Sequence, residues 1–313
     1  MDVAVLGPLE VRGPTGVIEV GGRLQRALLA ALLAQRGRTV ALDSLVDTLW
    51  PQDPPRTATH TLHAHVSRLR RRTGLPVVAR DGGYRLDLRA DQVDADRFEE
   101  VLRSAQHAGP AEAAELLEAG LAMWRGPAYG AAAELPAVRG DARRLEETRL
   151  VAGERLVARL LESGRFDGAV THAEALVAAA PLRESAWAAL VRALVAAGRP
   201  ADGVAAYGRA ARTLDELGLL PSADLGRAHA EALGARPVTT APDAAPVRPP
   251  GRAVTSITLP QSSFLGREAD LRAVDRLVDS ARLVTLVGPG GVGKTRLALE
   301  IARTRAGRHA SGS

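Results

Sequence analysis

The chain has 313 residues, 46% of them hydrophobic and 3% aromatic, with 41 Lys and Arg against 36 Asp and Glu and no cysteine. That length favours two or three domains, and the missing cysteines exclude a disulfide framework, a thiolate zinc site and a cysteine nucleophile. With no apolar run of about 18 residues and no basic-then-apolar N-terminus, the sequence reads as a cytoplasmic protein without a membrane segment.

Charge is unevenly spread. Residues 1–90 hold 13 basic against 8 acidic side chains, residues 91–240 hold 17 against 22, and residues 241–313 hold 11 against 6. A basic head and an acidic middle fit a module that meets phosphates joined to one that does not.

Met1 to Glu19 alternates short apolar runs with Gly and Pro turn signals and predicts a small antiparallel sheet. Helical periodicity follows: Leu24, Leu28, Leu32 and Leu33 share a face that Gly37 closes, and a short helix spans Leu42 to Trp50 with Asp43 and Ser44 as candidate caps. Pro51, Pro54 and Pro55 end it. The third helix, Arg56 to Thr73, aligns Leu62, Val66 and Leu69 and stops at Gly74. VVAR, the turn Asp81-Gly82-Gly83 and YRLDL then form a hairpin.

From Asp94 to Leu233 the pattern is entirely helical, and Leu156, Leu160, Gly164, Arg165 and Val170 recur 34 residues later as Leu190, Leu194, Gly198, Arg199 and Val204. That is the tetratricopeptide period. Trp187 and Tyr207 read as its core, and earlier hairpins are expected around Ala95–Trp124 and Asp141–Ser163. Residues 236–262, dense in Pro, Ala, Thr and Gly, read as a flexible linker, and a new unit spans 263–313.

Two constellations carry chemistry. In the head, a helix preceded by a shorter one and followed by a hairpin can lie in the major groove while its apolar side packs on the two earlier helices, with the hairpin as a wing. Thr59, His60, His63, Ala64 and Ser67 are then placed near base edges, and Arg56, Arg68, Arg71 and Arg72 near phosphates. Arg80 and Arg85 flank the wing tip, with Tyr84 packing beneath. The bland alternative is a solvated helix end, its arginines favoured by the helix dipole. His60 and His63 are one turn apart, but no carboxylate or cysteine joins them to complete a zinc site.

The second constellation is Gly288-Pro-Gly290-Gly291-Val-Gly293-Lys294-Thr295, after the apolar run Leu283–Val287 and before a helical segment. It matches a phosphate loop in its required setting of strand, glycine-rich turn and helix N-terminus. Lys294, the one lysine among the 41 basic residues, would reach the β and γ phosphates of ATP or ADP, and Thr295 would hold magnesium. The 18 residues after Thr295 carry no second strand with an acidic end. The expectation is therefore a truncated nucleotide-binding domain and no enzyme activity, with no cofactor required for the head.

On these residues the chain resembles the Streptomyces antibiotic regulatory proteins, in particular their large AfsR-like members, over nearly its whole length. LGPLEV, GGRLQRALLAALL, LVDTLWPQDPPRTATHTLHAHVSRLRRR and GGYRLDL are similar to that family's OmpR-type winged helix-turn-helix. VDADRFEEVL through WRGPAYG to GRPADGVAAYGRAARTLDELGLLPSADL is similar to its bacterial transcriptional activation domain, and SSFLGREADLRAV with GPGGVGKTRLALE to the start of its ATPase module.

The resemblance implies a mainly α chain: a winged helix-turn-helix (α+β) over 1–90, a tetratricopeptide-like activation domain over 91–235 and the start of a P-loop α/β domain. It further implies a homodimer on direct repeats in promoter DNA, contacts with RNA polymerase and its sigma factor, control of antibiotic genes, and Arg267 beside the nucleotide base. Two other functions remain open at this point: a nucleotide-dependent signalling switch, and a repeat scaffold that does not bind DNA.

Overall fold

The computed structural model describes residues 1–234 and 268–280, together with Leu297, Ala298 and Ile301. The chain divides into two compact units, Met1–Thr239 and Thr240–Ser313. The expected linker, Arg267 and the phosphate loop from Gly288 to Thr295 lie outside the described residues. Of the second unit, one helix is described in full, Glu268–Ser280.

The first unit opens with a three-stranded antiparallel sheet, β1 (Asp2–Ala4), β2 (Glu10–Gly13) and β3 (Gly16–Ile18), in which Val3 faces Val11 and Val11 faces Ile18. Next come α1 (Arg23–Ala34), a two-residue strand β4 (Val40–Ala41), α2 (Leu42–Leu49) and α3 (Ala58–Thr73). The hairpin β5 (Val77–Arg80) and β6 (Gly83–Leu86) follows, and the second sheet runs β4-β6-β5. Leu28, Leu29 and Leu32 of α1, Leu45 of α2 and Leu62 and Leu69 of α3 are fully enclosed. Each stabilises by about 1.5–3 kcal/mol relative to an exposed position.

Two expectations shift here. Asp43 and Ser44 do not cap α2: β4 runs straight into the helix, Ala41 is its N-cap, and Asp43 sits in the first turn, where its charge still complements the dipole. The wing turn is the two residues Asp81 (φ 37°) and Gly82 (φ 75°), both left-handed as a type I′ turn needs. Gly83 belongs to the strand, where a Cβ would lie 2.0 Å from the Val40 carbonyl oxygen. Only glycine lets β4 pass there.

Seven helices follow: α4 (Asp94–His107), α5 (Pro110–Leu121), α6 (Pro136–Glu162), α7 (Phe166–Ala179), α8 (Glu184–Ala196), α9 (Pro200–Asp215) and α10 (Ala223–Ala232). The hairpin expected over Asp141–Ser163 is instead part of the single 27-residue α6. No proline interrupts that span, and its charged residues form a solvated side where a turn was expected. The 34-residue repeat is α6/α7 on α8/α9. Gly164 and Gly198 both take φ 75°, and in each copy the next amide bonds back five residues, Arg165 to the Leu160 carbonyl and Arg199 to the Leu194 carbonyl, both at 2.8 Å. The two helix ends therefore share one Schellman closure.

Residues 1–90 and 91–234 share one hydrophobic core. Val3 bridges to Val93 and Pro8 to Tyr129. The Asp94 carboxylate, buried at the start of α4, accepts from the amides of Val5 (2.7 Å) and Leu6 (3.1 Å) and lies 3.5 Å from Arg125. Among the described residues, no helix is long and apolar enough to cross a membrane.

Candidate DNA interface

Successive residues of α3 turn by about 100°, so with Leu62, Val66 and Leu69 inward, the opposite side presents His60, Ala64, Ser67 and Arg71. All but the half-buried Ala64 are exposed. Thr59 and His63 lie on the flank towards the wing, Arg68 on the other flank. Arg70 and His63 tie α3 to the wing: the Arg70 guanidinium donates to the Val77 carbonyl at 2.5 Å and lies 5.7 Å from the Tyr84 ring centre, and the Tyr84 hydroxyl meets His63 Nδ1 at 2.6 Å. Tyr84 is buried beneath the hairpin.

The structure separates the arginines that the sequence groups together. Arg56, in the turn before α3, and Arg68, Arg71 and Arg80 are exposed and make no ion pair or hydrogen bond among the described residues. Arg72 is not with them: it points to the first sheet, donating to the Glu19 carbonyl at 3.1 Å and pairing with the Glu19 carboxylate at 3.3 Å. Arg85 is set back on β6, half exposed, with Asp87 at 3.1 Å. Arg70 and Arg72 are thus held by the protein itself, while the exposed Arg68 and Arg71 fit a solvated helix end and a phosphate contact equally.

The three histidines also part company. His60 is exposed and His63 engages Tyr84. Burial, and after it the Arg68 guanidinium, holds His65 below the usual histidine value; its ring tilts against Trp50 at 6.1 Å. Among the described residues no group of three or more His, Cys, Asp or Glu could hold a metal. Sequence reasoning put Tyr84 beneath the wing, where it is buried, but missed its bond to His63 and missed Arg70 and Asp94 as residues that fix the interface. Arg70 was legible, since it lies about 80° around the helix from Leu62 on the hairpin's flank; the partners of Asp94, 88 and 89 residues away, left no local trace.

Residues 21–86 match the family described as "Transcriptional regulatory protein, C terminal", and residues 93–233 match the "Bacterial transcriptional activator domain". The chain is 36% identical over 270 residues to Transcriptional regulator RedD of Streptomyces coelicolor, covering 82% of this chain and 77% of RedD. It is 34% identical to Regulatory protein AfsR of the same organism over 96% of this chain but only 32% of AfsR, so it spans about a third of that larger relative. The solved structure of Mycobacterium tuberculosis EmbR in complex with a low affinity phosphopeptide superposes with a TM-score of 0.70 at 31% identity, over 76% of this chain and 66% of that one. A winged helix-turn-helix that shares its core with a bacterial transcriptional activator domain, together with this similarity to most of RedD, places the chain in the Streptomyces antibiotic regulatory protein family of transcriptional regulators.

Proposed function

We propose that the chain activates transcription by seating α3 in the major groove of promoter DNA, with Thr59, His60, His63, Ala64 and Ser67 towards base edges and the wing tip on the neighbouring backbone. The observation that carries this is the set of four unpartnered arginines, Arg56, Arg68, Arg71 and Arg80, ranged along the exposed side of α3 and its wing. Phosphate contacts of that kind give affinity and register, and base-edge contacts give sequence choice. The protein acts in the cytoplasm as a homodimer on direct repeats, and the helical domain recruits RNA polymerase with its sigma factor to antibiotic biosynthesis promoters. The names of RedD, a transcriptional regulator, and AfsR, a regulatory protein, support the regulatory role itself.

Nucleotide binding belongs to the same reading as an accessory property. Gly288, Gly290, Gly291, Gly293 and Lys294 would cradle the phosphates of ATP or ADP, Thr295 would hold magnesium, and Arg267 would meet the base; the head needs no cofactor, and the chain is a regulator without catalytic activity. Gel mobility shift on direct-repeat promoter fragments, followed by run-off transcription with purified polymerase holoenzyme, tests the proposal. The expected result is a salt-sensitive shift and a raised transcript yield. Absence of any shift would leave the repeat scaffold as the better reading.

A further inference from the structure

Tyr84 is a buried phenol on the central strand of the sheet β4-β6-β5, with Val40 opposite it on one side and Ala79 on the other. A tyrosine enclosed in this way needs a partner for its hydroxyl hydrogen. Among the described residues that hydroxyl makes one hydrogen bond, the 2.6 Å contact with His63 Nδ1. Phenol is the stronger donor of the two groups, and the imidazole nitrogen is the stronger acceptor. Were Nδ1 to donate instead, the phenolic hydrogen would be left without a protein acceptor, which is costly. The Tyr84 O–H therefore donates and Nδ1 accepts.

That bond decides the state of the ring above it. A neutral imidazole carries one hydrogen, and a nitrogen that accepts cannot be the one that bears it, so the hydrogen of His63 resides on Nε2. The bonding directions of the two ring nitrogens diverge widely. With Nδ1 turned to Tyr84, Nε2 faces away from the sheet; His63 is exposed and forms no other hydrogen bond among the described residues. The two rings meet edge to face, their centres 5.9 Å apart at 71°, and the Arg70 guanidinium over the Tyr84 ring holds the phenol in place. The imidazole thus offers one N–H, at a fixed orientation, to whatever lies against α3.

We infer that His63 reads a guanine as a donor only, its Nε2–H donating to N7 with the O6 acceptor alongside, and that Tyr84 keeps it in that state. The inference rests on the seating of α3 in the major groove proposed above. In that groove guanine presents two acceptors side by side, adenine sets a donor next to its acceptor, cytosine offers a donor, and thymine places a methyl group beside its one acceptor. A histidine free to move its hydrogen to Nδ1 could accept from the cytosine amino group. With Tyr84 beneath, doing so breaks the O–H···N bond. Tyr84 itself touches no base and is a positioning residue that acts through His63.

The test selects bound duplexes from a randomised pool with the full chain, as wild type, His63→Ala and Tyr84→Phe, and compares base preferences position by position. One position should favour guanine over cytosine in the wild type by about fivefold, the scale of one neutral hydrogen bond. The preference should vanish in His63→Ala and fall to about twofold or less in Tyr84→Phe, which keeps the ring but frees Nδ1; the other positions should not change, whereas a wing that had merely loosened would blur them together. Replacing the selected guanine by 7-deazaguanine, which lacks the N7 acceptor, should weaken wild-type binding about fivefold and leave His63→Ala unaffected. The inference is overturned if no position depends on His63, if that position prefers another base, if Tyr84→Phe keeps the full preference, or if wild-type binding ignores 7-deazaguanine. The last result needs no variant to fold. Any of these with salt-sensitive duplex binding intact removes only the role of His63, while a wild-type chain that binds no duplex brings down the seating of α3 as well.

Discussion

Replacing Arg68 and Arg71 together by alanine asks directly where α3 lies. Around α3 and its wing four arginines, Arg56, Arg68, Arg71 and Arg80, are exposed without partners among the described residues. If each neutralises one phosphate, log K should fall with log salt at a slope of about −3.6 per head, at about −0.9 per phosphate released of its counterions. Between about 50 mM and about 200 mM salt the wild-type head then loses affinity about 150-fold, and the double variant, with a slope near −1.8, about twelvefold. Fluorescence anisotropy on a labelled duplex across that range reads both slopes. Arg72→Ala is the matched control: its guanidinium is held by Glu19, so its slope should stay near the wild-type one. A double variant with an unchanged slope, or an Arg72 variant that loses as much as the pair, would refute the placement of the helix.

The remaining expectations concern what holds the interface in position. Asp94→Ala strands two buried amides, those of Val5 and Leu6, and at about 1–3 kcal/mol for each unmet donor should lower unfolding stability by about 3 kcal/mol in urea. Gly83→Ala drives a methyl group into the Val40 carbonyl and should cost about 2–4 kcal/mol, read by the same unfolding curve. Tyr84→Phe removes the bond to His63, worth about 1 kcal/mol, and should speed hydrogen exchange of the Val77–Leu86 amides more than those of α5. Above all Arg192, through its hydrogen bonds, holds the Asp224 carboxyl below the usual carboxylate range. The stability this pair adds is therefore present above the unfolded aspartate value of about 3.9 and lost as pH falls through the lower folded value; Asp224→Asn should flatten that acid limb of the urea midpoint. Lys294→Ala should leave duplex affinity unchanged, and a large loss would show that the nucleotide segment acts on the head.

How much of this could be read from the sequence depended on whether the signal was local. The leucine and valine spacing of α3, the Asp-Gly turn and the 34-residue recurrence of Gly164 in Gly198 each encode structure within a few residues or one repeat, and the structure contains the third helix, the hairpin and the paired helix ends. β4 escaped because two residues cannot show alternation; its only trace is Gly83, 42 residues beyond Ala41. Treating Arg71 and Arg72 alike ignored the 100° between neighbours, which turns one outward and the other to Glu19. The shared core of head and helices was invisible, since Asp94 reads as one more acidic residue opening a helix until the amides of Val5 and Leu6 are brought against it.

The fusion of the two halves through Asp94 and the Val3–Val93 bridge removes the hinge that a tethered activator would have. Whatever surface the helical bundle offers is then carried at a fixed azimuth around the duplex. Sliding the recognition sequence by half a helical turn, about five base pairs, would swing that surface to the far side, so spacing on the promoter must matter in whole turns and not merely in distance.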